Sequence, residues 1–499
     1  MSRALMVQGT ASNAGKSILV TALCRIFRQD GYRVAPFKAQ NMSLNAYVTA
    51  DGGEIGRAQG VQAEAAGTSA TVDMNPVLLK PKGDSVAQVI IHGRPVGDFT
   101  AQGYREDCLS RAWQAVRESY ARLSKDYDVI VIEGAGSPAE VNLREKDIAN
   151  MRVAALAEAP VLLVADIDRG GVFAQVVGTL ALLLPEEAAR VRGVVINKFR
   201  GDLAILTPGL RFLEEKTGRP VLGVLPFLPD LGVAAEDSVS LGAGFFRPDA
   251  ALDIAVVRLP RIANFDDFDP LLAEPDVSLR FVSHPRCVGQ PDLLILPGTK
   301  NTVADLRWLC ATGWVAVLRE RAAAGLPLLG ICGGYQMLGR ELQDPGGLED
   351  TAGVHVGLGL LDVVTVFRPG KVTVRRVGFV SGAGMLAPLA GEKVSGYEIH
   401  AGETFRGAGA APIFTLEVPS GTAAEGAVAG AVWGTYLHGL FEADGFRRRY
   451  LNLLRRRRGL PPVDYGVSFA RLKEECFDRL AAAVREHLNL REIYRWLGL

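Results

Sequence analysis

The sequence predicts an α/β protein built from two parallel-sheet domains. Three observations carry this. Short Val/Ile/Leu-rich runs alternate with longer helical patterns along most of the 499 residues. A glycine-rich loop ending in Gly-Lys-Ser follows the first apolar run. A cysteine sits between a later apolar run and a helical pattern, with glycines on both sides. Continuous apolar strands separated by helices are the pattern of parallel sheets covered on both faces.

In the first half the runs are "ALMVQG", "YRVAPF", "DVIVIEG", "APVLLVAD", "RGVVINKF" and "PVLGVLPF". Residues 1–230 are assigned to a phosphate-binding domain, and the weakly periodic Gly/Pro/Ser stretch at 231–250 to a linker. Strand patterns resume with "DIAVVRLP", "LRFVS", "PDLLILPG" and "LPLLGIC", then "GLLDVVTVF", "VSGYEIHAG" and "AVAGAVWGTYLHG". They define a second α/β domain over 251–447, richer in β-structure towards its end. A helical segment over 448–499 completes the chain, broken at "GLPPVDYG". No internal repeat or low-complexity tract is present.

Lys plus Arg and Asp plus Glu both number 55, so the formal net charge is zero. That argues against nucleic-acid or membrane-surface partners, which call for a basic excess. The Arg-rich "FRRRYLNLLRRRRG" at 446–459 reads as a solvated helix face. The six cysteines contain no CxxC pair, so neither a disulfide framework nor a zinc site is expected. The start "MSRALMVQG" has no signal-peptide pattern and no apolar run is long enough to span a bilayer, so a cytoplasmic location is expected.

Gly9 to Ser17 reads G-T-A-S-N-A-G-K-S, one residue longer between its glycines than the common phosphate loop. It follows a strand and opens a helix expected over 17–27, so backbone N–H groups and the helix N-terminus face an anion. Gly9, Thr10, Asn13, Gly15, Lys16 and Ser17 are the nucleotide-binding candidates. Lys16 would neutralise phosphate charge, and the Ser17 hydroxyl would bind Mg²⁺. Glu133 closes the strand "YDVIVIEGAGS", where a carboxylate lies beside the phosphate crevice. A metal role is favoured for it over capping the next turn. Asn197 ends "VVIN" and either reads an adenine edge or forms a turn. Asp166 and Asp168 either place Mg²⁺ or substrate or pair with Arg169. Lys38, Gln40 and Asn41 follow the second strand in a polar loop that is either a site or plain surface.

The second half turns on "LPLLGICGGYQMLG". Gly330-Ile331-Cys332-Gly333-Gly334 is a nucleophile elbow written with cysteine. Small neighbours permit the tight backbone, the helix N-terminus favours thiolate, and nearby N–H groups can stabilise an oxyanion. Of six histidines, His438 in "TYLHG" ends an apolar strand and is the expected base, with His400 as runner-up. Gly298 and Thr299, ending the strand "LLILPGT", offer a second oxyanion donor.

These motifs resemble known families. "GICGGYQMLG" with a later "YLHG" is similar to class I glutamine amidotransferases. The long "GTASNAGKS" loop and "EGAG" resemble dethiobiotin synthetase-like P-loop enzymes. The two in this order resemble the corrinoid-amidating synthases. "PFKAQNMSLN", "EIGRAQGVQAEAA", "NPVLLKP", "DIDRGGVFA", "NKFRGD" and "LPGTKNT" point to the cobyric acid synthase family within them. The resemblance implies amidation of the b, d, e and g carboxylates of adenosylcobyrinic acid a,c-diamide, with ATP, Mg²⁺ and L-glutamine. It implies Cys332 as nucleophile, His438 as base, and Gly298, Thr299, Gly333 and Gln336 around the glutamine. Lys38, Gln40, Asn41, Arg57, Lys80, Asp168 and Arg169 are the implied corrinoid contacts. Such enzymes commonly carry a glutamate two residues after the histidine. Here that place is Leu440, which leaves Glu442 and Glu398 as candidates to orient His438. Ammonia must then reach the first domain unprotonated, which asks for a sheltered path. The near alternative is amidation of the a and c carboxylates. Of a different class are a partition-type ATP switch and a glutamine sensor, neither of which needs the cysteine to release ammonia.

Overall fold

A computed structural model describes residues 3–83, 85–228, 244, 245, 247 and 249–499, so most of the expected linker lies outside the described residues. The chain divides into two compact units: Met1–Ser43 with Gly53–Val233 and Arg471–Leu499, and Leu44–Gly52 with Ala234–Ala470. Two boundaries differ from the expected ones. Residues Leu44–Gly52 pack with the second unit, and the C-terminal helical segment is divided between the units.

The first unit centres on a six-stranded sheet. Its order is Val221–Pro226, Val191–Phe199, Val161–Asp166, Arg3–Gly9, Val129–Glu133, Val34–Phe37. All of its pairings are parallel. The strands read as unbroken apolar runs because both faces are covered. Helix Lys16–Gln29 covers one face through Leu19, Val20, Leu23 and Phe27. That core also takes Leu480, Val484, Leu488, Ile493 and Leu497 from helices Phe469–His487 and Leu490–Leu497 and the turn between them. Arg25 ties the first of these helices down through Asp478 (2.7 Å) and Glu474 (2.8 Å). A four-stranded sheet built on Gln40–Met42, Val77–Pro81, Val86–Ile91 and Arg94–Thr100 extends the unit.

The second unit has a seven-stranded sheet. Its order is Gly244–Phe245, Val277–Val282, Leu252–Val257, Leu293–Leu296, Leu328–Ile331, Val432–Thr435, Ala427–Ala429. The five central strands are parallel and the edge strands antiparallel. Two four-stranded sheets, mostly antiparallel, account for the extra β-structure expected here.

The Arg-rich stretch is only in part a solvated face: Arg449, Arg456, Arg457 and Arg458 are exposed. It forms helix Asp444–Arg457, whose Arg447, Arg448 and Arg455 are buried. Arg447 meets Glu274 at 2.7 Å, and Arg448 and Arg455 meet Asp276 at 3.2 and 2.9 Å. Buried guanidinium groups persist where carboxylates partner them, and here those partners come from a distant turn that local sequence does not reveal. Among the described residues no helix is long and apolar enough to cross a membrane.

Candidate active site

In the first unit the predicted loop joins strand Arg3–Gly9 to helix Lys16–Gln29, which starts one residue earlier than expected. Asn13 and Gly15 have positive φ, 59° and 101°. At Gly15 a Cβ would also collide with the Asn197 side chain, so glycine is required there twice over. Asn197 Nδ2 donates to the Ala14 carbonyl at 2.9 Å. Its amino group thereby braces the loop. Lys16 Nζ donates to the carbonyls of Ala11 (3.1 Å) and Gly136 (2.9 Å), and Thr10 Oγ1 donates to Gln175 at 3.1 Å.

Glu133 is the hub. One carboxylate oxygen accepts from Ser17 Oγ and Lys38 Nζ, both at 2.8 Å, and the other accepts from Gln62 at 2.6 Å. Only 1% of the Glu133 side chain is exposed. A hydroxyl and a carboxylate side by side are the oxygen donors Mg²⁺ takes together with substrate phosphates, so the pair fits that ion. Beside the loop, Ile18, Leu19, Leu225, Phe227, Leu480 and Val484 wall a small apolar cleft, of the character a nucleoside base fits.

A second cleft, of about 630 Å³, runs from Gln40 and Asn41 past Gly136 to Arg144, Arg152 and Arg190. Of the implied corrinoid contacts, only Gln40 and Asn41 line it. Lys38 is held on Glu133, and Arg57 is buried. Asp168 pairs with Arg200 at 3.1 Å, and Arg169 approaches Asp166 at 3.8 Å. Lys80 forms a buried pair with Glu54 at 2.8 Å, their side chains 4% and 0% exposed. Lys38 and Lys80 thus meet buried carboxylates, pairings that local sequence does not reveal. Lys80→Ala strands a buried carboxylate and is expected to cost about 3–5 kcal/mol of stability, read as a lower denaturation midpoint. Unchanged stability with weakened corrinoid binding would return Lys80 to the ligand.

In the second unit Cys332 sits between strand Leu328–Ile331 and helix Gly333–Leu338 at φ 51° and ψ −109°, a strained elbow. It can form only because residue 334 is glycine: a Cβ there would strike the Leu296 carbonyl. Cys332 N–H donates to Thr435 O at 2.8 Å, which ties the elbow to the strand leading into His438. His438 is 1% exposed, and the Cys332 thiol lies 3.8 Å from the carbonyl of Ile399, which follows Glu398 on strand Lys393–His400. His438 Nδ1 meets Asp267 Oδ2 at 2.7 Å, and Gly439 N–H donates to Asp267 Oδ1, also at 2.7 Å. Tyr397 stacks on the imidazole with centroids 5.3 Å apart. Burial alone would lower the imidazole's titration. The Asp267 charge and hydrogen bond, aided by Cys332, overcome it and push His438 up to about 10.

Asp267 is the orienting carboxylate that sequence reasoning misses. It lies in the turn Phe265–Phe268, far from "YLHG" in sequence. Glu398 instead pairs with Arg376 at 2.8 Å, and it is Asp267, not Glu442, that holds Nδ1. The only sequence signal for it is an acidic "NFDDFD" just after an apolar strand. His400 stacks on Tyr436, and burial pushes it down to about 4. Gln336 is buried, its amide bonded to Ala401, Tyr436 and Thr302, so it anchors the elbow helix from within. The Thr299 hydroxyl donates to Asp305 at 2.5 Å. The Thr299 backbone nitrogen lies 3.3 Å from where a Gly333 Cβ would stand, and a Gly298 Cβ would lie 3.0 Å from His438 Cε1. The predicted oxyanion segments thus meet beside Cys332 and His438. Glu425, pushed up to about 8 by burial, accepts from Tyr436 N–H and Thr435 Oγ1 beneath the same strand end.

Residues 5–241 match the family model of the CobQ/CobB/MinD/ParA nucleotide-binding domain, and 253–446 match that of the CobB/CobQ-like glutamine amidotransferase domain. A cobyric acid synthase of Pelotomaculum thermopropionicum is 57% identical over 510 residues, covering 100% of this chain and 97% of the relative. The cobyric acid synthase of Moorella thermoacetica is 52% identical, covering 100% of this chain and 98% of its own length. That of Yersinia enterocolitica is also 52% identical, with 99% and 98% covered.

Proposed function

The chain belongs to the cobyric acid synthase family, and from that we propose how its two sites divide one reaction. It is a glutamine-hydrolysing carbon–nitrogen ligase. The observation that carries the division of labour is the Asp267–His438 pair set against the cysteine elbow, in a chain whose other unit holds a phosphate loop.

Cys332 attacks the side-chain amide of glutamine. Asp267 keeps the proton on Nδ1, so Nε2 exchanges a proton with the thiol and then delivers it to departing ammonia. Backbone N–H groups around Gly298, Thr299 and Gly333 stabilise the oxyanion. His438 next draws a proton from water, which hydrolyses the γ-glutamyl thioester and frees glutamate.

At the phosphate loop a substrate carboxylate attacks the γ-phosphorus of ATP. The new carboxyl oxygen–phosphorus bond replaces the one to ADP, which leaves. Ammonia adds to the resulting acyl phosphate, inorganic phosphate departs, and a proton is lost. Lys16 and the loop amides neutralise the transferring group. Ser17 and Glu133 would hold Mg²⁺, which when bound spreads the phosphate charge. Lys38, fixed by Glu133, adds a cation at the same edge. The acceptor is adenosylcobyrinic acid a,c-diamide, amidated at b, d, e and g. We assign it to the cleft from Gln40 to Arg152, because that cleft shares Gly136 with the Lys16 contact and carries arginines suited to carboxylates.

Mass spectrometry after incubation with MgATP, glutamine and this corrinoid is expected to show amides at b, d, e and g. Activity confined to the a and c carboxylates of cobyrinic acid would overturn the substrate reading.

A further inference from the structure

His438 Nε2, the ring nitrogen turned away from Asp267, has a polar neighbour of its own. Asn264 Nδ2 lies 3.4 Å from it, too long for a good hydrogen bond. Asn264 is 4% exposed, takes the left-handed backbone at φ 52° and ψ 44°, and leads into the turn that carries Asp267. Its Oδ1 accepts from the main-chain N–H of Ala46 at 2.9 Å. A backbone N–H can only donate, so this bond decides which end of the amide faces His438: the amino end.

The chemistry follows from that orientation. When the thiol gives up its proton, Nε2 becomes a donor. An amide oxygen there would accept that proton and draw the imidazolium away from sulfur. An amino group cannot, which leaves the Cys332 thiolate as its acceptor. The groups facing the imidazole are Asp267 at Nδ1, Asn264 at Nε2 and Tyr397 on its face, with the Cys332 thiol acting on its titration.

Ala46 belongs to Leu44–Gly52, a piece of the nucleotide-domain sequence that packs within the second unit. It is well seated there. Arg375 donates to Val48 O at 2.9 Å and covers the Tyr47 ring, while Ala46 and Val48 pack on Tyr397 and Ile399. Tyr397 OH also reaches Ala46 O, at 3.5 Å. The two polar atoms of one residue's main chain thus contact the residue at the edge of the imidazole and the residue on its face.

We propose that Asn264 is a positioning residue for the Cys332–His438 pair, and that the Ala46 N–H sets it by holding the amide with its amino end toward Nε2. The inference rests on the amidotransferase reading. It makes nitrogen release depend on a segment that closely follows Lys38–Met42 in sequence, so the synthetase sequence supplies part of the glutaminase site.

The test is a double-mutant cycle on the full chain. Ala46→Pro deletes the N–H without removing any side chain of the site. It is expected to lower glutaminase kcat about tenfold with KM for glutamine unchanged, because the freed amide rotates its oxygen toward Nε2. Asn264→Gly keeps the left-handed backbone and removes the amide, so Ala46→Pro added to it is expected to cost almost nothing further. Asn264→Asp, which always presents an acceptor, is expected to fall at least as far as Ala46→Pro. Ammonia-dependent synthesis, measured alongside, is expected to stay at the level of the unsubstituted protein. Should Ala46→Pro disturb folding and lose that synthesis too, the comparison of Asn264→Gly with Asn264→Asp decides: equal activity in these two overturns the proposal. So does an equal loss from Ala46→Pro with and without Asn264. An unsubstituted protein with no glutaminase activity would instead overturn the amidotransferase reading itself.

Discussion

Replacing Cys332 with alanine is expected to abolish glutamine-dependent amide formation while ammonia-dependent formation persists. The loss should reach roughly 10⁴–10⁶-fold in glutaminase kcat, the scale seen when a nucleophile is deleted from a triad. No other described cysteine can replace it. Cys24 is buried on the phosphate-loop helix itself, Cys108 and Cys476 are buried in the first unit, and Cys287 and Cys310 are exposed on the second unit. Because the elbow lies in the second unit and the phosphate loop in the first, the substitution leaves acid activation untouched. The assay is corrinoid amidation with glutamine or with ammonium as nitrogen source. Loss of both in a folded protein would break the division of labour. The converse holds for Lys16→Ala, which should stop synthesis from either nitrogen source and leave Cys332 able to form a thioester.

Asp267→Asn should cost roughly 10³–10⁴-fold in glutaminase kcat, because it reverses the tautomer logic of His438, and should also lower the stability of the fold near neutral pH, where most of the buried pair's contribution is present. An amide at this position no longer fixes the proton on Nδ1, and Nε2 is no longer reserved for the thiol. The pH profile is the diagnostic. Burial lowers the imidazole's titration, and the Asp267 charge does most to oppose it, holding His438 at about 10 in the native protein. Without that charge the alkaline limb of the glutaminase profile should move to lower pH. The same raised titration bears on stability with a definite sign. The buried pair's contribution is complete below about pH 6.5, the unfolded value for histidine, and is lost as pH rises through about 10. An unchanged profile in Asp267→Asn would mean that another group orients His438.

Much of this is legible in the chain because it is local. The phosphate loop and the cysteine elbow each need a strand, a run of small residues and a helix in immediate succession, and that order is visible in "VQGTASNAGKSILV" and "LLGICGGYQML". The parallel strands are equally plain, since burial on both faces makes them continuously apolar. What escapes depends on contacts between distant stretches. Asp267 meets His438 across 171 positions, and Ala46 meets Asn264 across 218. Lys38 and Lys80 find their partners Glu133 and Glu54 across 95 and 26 positions, pairings the local sequence does not show. Arg447, Arg448 and Arg455 of helix Asp444–Arg457 look solvated until Glu274 and Asp276 close on them.

The central claim is that the acid is primed as an acyl phosphate at the Lys16–Ser17 loop before nitrogen arrives. The direct measurement is oxygen transfer from a corrinoid whose free carboxylates carry ¹⁸O, using Cys332→Ala with ammonium as nitrogen source. Each amide formed is expected to send a labelled oxygen into inorganic phosphate, with ATP cleaved to ADP. Amide formation with unlabelled phosphate would contradict it.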